Sequence, residues 1–274
     1  MNMTVFNASF AAYGASLVVF AGAYLFVKPG WRTGGRWLLA FAWLLQTAFL
    51  VLRWKEAGHA PLANQFESLA SMSWGLTGIS FFFQRKENEA WLAPGVSALT
   101  IVLLGVCALL DAAMSPLVPA LQSDWLLLHV AVIMFGYSAL ALSFLASVLI
   151  LAWPKGARPP EAQSVLPSTE GVTAALDRFN ERSMGLGYLL LTAGIILGAV
   201  WANEAWGSYW SWDPKETWSL ITWLVYTAGL HLRRTHRWQG RRMAWLSVAG
   251  FVFVLFTYFG VNYLMSGLHS YANS

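Results

Sequence analysis

Trp206-Gly207-Ser208-Tyr209-Trp210-Ser211-Trp212-Asp213-Pro214-Lys215-Glu216-Thr217-Trp218 crowds four tryptophans and a tyrosine into thirteen residues between two long apolar segments. The second half of this run is a helix start. Asp213 is an acidic N-cap, Pro214 stands at the first helical position and Glu216 at the third, the pattern of a capping box. The stretch therefore reads as an aromatic loop that ends where an apolar helix begins, and the chain around it has the same character throughout.

Of the 274 residues, 57% are hydrophobic, 11% charged and 15% aromatic, too few charges for a water-facing surface and too many apolar runs for one core. The fold class expected is all-α, a polytopic membrane protein embedded in a lipid bilayer. The net charge of +4 does not indicate nucleic acid, because the basic residues sit in short clusters between apolar runs, as orientation signals do. Cys107 is the single cysteine, which excludes an internal disulfide and a C-x-x-C redox pair. No Lys or Arg precedes the first apolar run, so that run is expected to stay as an anchor rather than be cleaved.

Segments long enough to span, or nearly so, lie at about 9–27, 37–52, 66–83, 91–112, 125–152, 184–202, 215–232 and 243–265, eight helices in all. The connections then alternate in charge. Fourteen basic residues fall on one side: Lys28, Arg32 and Arg36, then Arg85 and Lys86, then Lys155, Arg158, Arg178 and Arg182, and finally Arg233, Arg234, Arg237, Arg241 and Arg242. Only Arg53, Lys55 and Lys215 fall on the other. The positive-inside rule puts both termini and the tryptophan loop, 203–217, outside the cytoplasm. The 153–183 connection, with Pro154, Pro159, Pro160 and Pro167, is expected to be a cytoplasmic linker whose second half, Val172 to Arg182, forms an amphipathic helix on the membrane. No long-period repeat divides the chain, so it is one integral domain.

The rings of Trp206, Trp210, Trp212 and Trp218 offer rigid flat faces that can sandwich a planar ligand at small entropic cost. The competing reading is lipid anchoring, because tryptophan and tyrosine concentrate at membrane–water boundaries. The helix start adds N–H groups and the positive end of a macrodipole, with Lys215 beside them, which suits an anion. A planar apolar ligand with carboxylates at its edge meets both halves of the site, and haem with its propionates is such a molecule. Quinones fit the rings but not the charges.

Neutral imidazole is a common axial ligand to haem iron, and two histidines can close a six-coordinate site. His59, His129 and His269 share the tryptophan loop's side on this topology. His129 lies about one turn into the fifth span and His269 follows the eighth, so each is tied to a helix terminus; His59, in Gly58-His59-Ala60-Pro61, reads as a turn residue packing against the site. His231 lies ~25 Å along the seventh helix from Pro214, near the cytoplasmic side. His236, among Arg233, Arg234 and Arg237, reads as a solvated or headgroup-facing residue. No catalytic group is assigned.

These residues resemble the haem-handling, tryptophan-rich (WWD) membrane proteins of cytochrome c biogenesis, most closely the CcsA (ResC-like) family of system II cytochrome c synthase subunits. The likeness rests on Ala199 to Trp218, on Gly58-His59-Ala60-Pro61-Leu62-Ala63-Asn64-Gln65-Phe66-Glu67-Ser68-Leu69, on Tyr258-Phe259-Gly260-Val261-Asn262 and on Gly267-Leu268-His269-Ser270-Tyr271. It spans about residue 50 to the end; Phe66 stands where a tyrosine is expected, and the first ~45 residues match no motif. The resemblance implies that His129 and His269 ligate haem iron on the outer side, and that His231 belongs to an inner site whose second ligand comes from a CcsB-type membrane subunit. It also implies that haem b is carried across the membrane and presented against Trp206, Trp210 and Trp212 to apocytochrome c, whose cysteines add to the vinyl groups. Asp213 is either a helix cap alone, its structural role, or also a part of haem positioning. The setting implied is a bacterial inner membrane or a thylakoid membrane.

Two other classes of function are compatible with the residues: an exporter of haem or another planar anion with no part in attachment, and a membrane scaffold whose tryptophans only anchor lipid. Within the family, a system I tryptophan-loop protein is the alternative, although Trp212-Asp213-Pro214-Lys215-Glu216-Thr217-Trp218 is more similar to the system II form.

Overall fold

The computed structural model describes residues 2–26, 28–83, 92–114, 116–117, 119–153, 169–265 and 267. It is all-helical among these, with eight principal helices: α1 Asn2–Leu25, α2 Pro29–Ala57, α3 Gln65–Phe83, α4 Leu92–Cys107, α5 Asp124–Ala152, α6 Thr169–Trp206, α7 Pro214–His236 and α8 Gly240–Leu255. A π-turn, Phe256–Gly260, and a last helical turn, Val261–Leu264, continue α8. Five helices are long and apolar enough to cross a membrane: Asn2–Leu25, Gly30–Ala57, Asp124–Ala152, Gly171–Trp206 and Gly240–Leu264. The chain is an integral membrane protein. Large apolar side chains such as Trp37, Val18 and Leu25 stand exposed on its perimeter, as a lipid solvent allows.

The central seam joins α5 and α6, which run antiparallel. Glycines make it close: a β-carbon at Gly187 would meet Leu140 at 2.5 Å, one at Gly194 would collide with Ile133, and one at Gly136 would stand 3.3 Å from the Leu191 backbone. Without a hydrophobic drive between helices in lipid, such small residues bring backbones within van der Waals reach.

The reading of 153–183 as a linker ending in a separate surface helix is corrected here. Thr169–Trp206 is one continuous helix, and residues 154–168 lie outside the described structure. The apolar face Val172, Ala175, Leu176 and Phe179 is buried in protein rather than laid on lipid, and Phe179 meets Phe83 edge-on at 5.9 Å between ring centres. Its polar face is also occupied: Asp177 and Glu181 take Arg233 of α7, at 2.9 and 2.8 Å. With both faces engaged, nothing breaks the helix before the sixth span.

At the other end of the bundle, α2 stops at Gly58 (φ +74), whose N–H closes on Trp54 O. Buried Arg53 then pins the following motif. It pairs with Glu67 at 2.7 Å, donates to Ala112 O at 2.9 Å and lies over the Phe66 ring. Phe66 packs against Phe6 and Phe49.

Candidate functional site

The tryptophan loop is Gly207–Asp213. Gly207 (φ +74) ends α6 by donating to Asn203 O, at 2.9 Å. The capping box expected at the start of α7 is present: Asp213 Oδ1 accepts from Lys215 N at 2.9 Å, while Glu216 Oε2 accepts from Asp213 N at 3.2 Å and from Ser211 N at 2.7 Å. Between these anchors Trp212 takes φ +58, a left-handed conformation that costs a bulky residue roughly 1–2 kcal/mol and is found where the surroundings over-determine it.

That geometry divides the four tryptophans. Trp210 lines a cavity; Trp212 is 69% exposed and stands perpendicular to Trp210, at 5.8 Å. Trp206 packs 4.8 Å from Trp201, and it is Trp201 that reaches the cavity wall. Trp218 turns onto α8, 4.2 Å from Phe256.

The cavity holds about 490 Å³, inside the roughly 300–1,000 Å³ range of small-molecule and cofactor sites. It brings together His129 of α5, Trp201 of α6, Trp210, Lys215 of α7, and His59 and Gln65 from the start of the α3 region. His59, read from sequence as a packing neighbour, thus shares the wall with His129; its Nδ1 lies 3.1 Å from Ala60 O. Only the three-dimensional return of the α2–α3 connection reveals this.

His129 is held in a defined way. Its Nδ1 donates to Gly194 O at 2.7 Å. A carbonyl can only accept, so Nδ1 carries the proton, and in the neutral imidazole Nε2 is then the nitrogen that can ligate a metal. Ser123, the N-cap of α5, donates to Glu204 of α6 at 3.0 Å and ties the start of α5 to the end of α6.

His269 lies outside the described residues. Gly267, the last residue before it that is described, packs against Asp213 and Pro214 at the start of α7. His231 is elsewhere: it is exposed on α7, away from the cavity, two residues before buried Arg233.

The α8 side of the cavity is set by the π-turn, a feature frequent at functional sites. It places Thr257 in a 3.0 Å hydrogen bond with Thr222 and Tyr258 in a 2.7 Å hydrogen bond with Ser68, with Tyr258 and Asn262 both at the wall.

A family model, Cytochrome C assembly protein, matches residues 62–269. The chain is 42% identical over 97% of its length to Cytochrome c biogenesis protein CcsA of Synechococcus sp. (strain CC9902), covering 96% of that protein. It is 37% identical to the CcsA of Synechocystis sp. (strain ATCC 27184 / PCC 6803 / Kazusa), over 97% of this chain and 96% of that one. The CcsA of Guillardia theta is 43% identical over 82% of this chain and 81% of that protein. Among solved structures, Cytochrome c Heme Lyase CcmF has the same fold, with a TM-score of 0.67, 18% identity, 98% of this chain covered and 47% of that one. The tryptophan loop, the capped helix start and His129 all fall inside the matched region, and the chain belongs to the cytochrome c assembly family.

Proposed function

We propose that this protein carries haem to the outer face of the membrane and presents it to apocytochrome c for thioether attachment, as a subunit of a system II cytochrome c synthase. The observation that carries the reading is the one cavity lined by His129, Trp210 and Lys215. It offers an iron ligand of fixed tautomer, a flat apolar face and a cation at a helix N-terminus, which are the three requirements of a planar metal complex with carboxylates at one edge.

In this reading His129 and His269 hold the iron, Trp210 and Trp201 flank the ring system, and exposed Trp212 and half-buried Trp206 form the lip that an incoming apocytochrome meets. Asp213 keeps the helix start closed, so Lys215 points its charge at the carboxylate edge. Trp218 fixes α7 to α8. Attachment adds a cysteine S–H across a vinyl C=C: sulfur bonds to the inner carbon, the proton ends on the outer one, and no electrons are gained or lost. The chain's part is to hold the reacting edge toward the thiol, and orientation of this kind can itself supply much of a rate enhancement.

His231 then serves an inner site completed by a CcsB-type subunit. Its exposure on α7 supports a ligand shared across a protein interface. The loop and both termini lie outside the cytoplasm, as the clustering of fourteen basic residues on the opposite side favours. The membrane is a bacterial inner or thylakoid membrane, in line with the cyanobacterial relatives.

The test is the absorption spectrum of the purified protein, wild type beside His129→Ala, His269→Ala and His231→Ala, each expressed with and without a CcsB-type partner. A six-coordinate bis-histidine spectrum weakened by the two outer substitutions supports the outer site. Absence of haem from the wild type under every condition overturns the reading in favour of a scaffold. Haem bound without thioether product, with partner and apocytochrome both present, favours an exporter.

A further inference from the structure

Two buried side-chain atoms at the cavity wall have no hydrogen-bond partner among the described residues, and a lysine stands beside them. Gln65 is 8% exposed, and Tyr263 Oη donates to its Oε1 at 2.8 Å, which turns the amide so that Nε2 faces away from that bond. Nε2 is buried and has no acceptor among the described residues. Glu216, also 8% exposed, spends Oε2 on two backbone N–H groups and leaves Oε1 without a donor. Lys215 lines the same cavity, with the Asp213 carboxylate as its charged neighbour.

A buried amide N–H left without a partner bears its full desolvation penalty, so such groups in a folded protein call for an explanation. These sit together on one cavity. Two are donors and one is an acceptor. A ligand edge bearing two carboxyl groups, one ionised and one protonated, satisfies all three, since the carboxylate accepts from Gln65 and Lys215 and the remaining proton goes to Glu216 Oε1.

We infer that Gln65 is a specificity-determining residue that reads the carboxylate edge of the ligand, with Tyr263 holding its amide in the donating orientation. This rests on the haem reading above and adds to it a position that the loop sequence does not contain. It gives a role to the Asn64-Gln65-Phe66-Glu67 motif: Arg53 and Glu67 pin the start of α3, and Gln65 faces the ligand from it.

The experiment compares binding of haem and of haem dimethyl ester, which keeps the ring and iron but has no carboxylate, to the full-length protein in detergent. Wild type, Gln65→Leu, Gln65→Asn and Tyr263→Phe are titrated by absorption. The expected result is that wild type prefers haem over the ester and that Gln65→Leu lowers this preference about 10-fold, the scale of one charge-assisted hydrogen bond, with ester affinity unchanged. Tyr263→Phe lowers the preference less, and Gln65→Asn retains part of it. An unchanged preference in Gln65→Leu, or equal loss of both ligands, overturns the inference while leaving the haem reading intact. Failure of wild type to bind either ligand overturns the haem reading itself.

Discussion

The Nδ1–H of His129 rests on the carbonyl oxygen of Gly194, 2.7 Å away, while its ring lies over Gly198 so closely that a β-carbon there would stand 2.7 Å from the imidazole. The ligand candidate is thus seated in a Gly194-x-x-x-Gly198 notch of the neighbouring helix. The notch fixes both the tautomer and the ring plane.

Gly198→Ala is therefore expected to displace the imidazole without touching the loop. Overpacking of this kind costs about 1–3 kcal/mol, which the membrane bundle tolerates. The absorption spectrum of haem-loaded protein should lose its six-coordinate character, as with His129→Ala. Gly14→Ala, where a β-carbon meets nothing within 4 Å, is the control and should leave the spectrum unchanged.

His231→Ala should behave oppositely. The side chain is exposed and outside the cavity, so thermal stability should move by no more than ~0.5 kcal/mol. Haem bound by the isolated chain should be unaffected. Haem recovered from co-expression with a CcsB-type partner should fall, and a fall in the isolated chain as well would place His231 in the outer site's support instead.

The Arg53–Glu67 pair, 1% and 0% exposed at its side chains, predicts an asymmetry between single and double substitution. Arg53→Met or Glu67→Gln alone leaves a buried group without its counter-charge, and breaking such a pair costs roughly 3–5 kcal/mol. The double variant Arg53→Met with Glu67→Leu should recover a large part of that loss. Thermal unfolding in detergent reads the difference, and equal destabilisation by single and double variants would contradict the buried-pair account.

The local part of the site was legible in the sequence because its determinants are local. Asp213, Pro214 and Glu216 form the capping box their order announces, and the α7 start follows within one residue of the expected 215. Distances between helices are a different matter. Nothing in the residues around Gly58-His59 states that the connection returns to His129, and the tryptophans look alike in a string although the φ of one residue, Trp212, turns two rings to different faces. The linker was misread for a related reason: its prolines end at 167, and the amphipathic pattern after them fits a membrane surface or a protein groove equally well. Only Phe83 and Arg233, distant in sequence, decide for the groove.

The glycine seam between α5 and α6 has a mechanical consequence. Two helices packed closely at Gly136, Gly187 and Gly194 form one wall, and His129 is seated in it at Gly198. The remaining walls are built differently, from side chains of α3, α7 and the π-turn that meet through hydroxyl bonds such as Ser68 with Tyr258 and Thr222 with Thr257. Bonds of that kind are exchanged one at a time at little cost. A ligand that reaches His129 is therefore expected to shift the α7 and π-turn side rather than the α5–α6 wall.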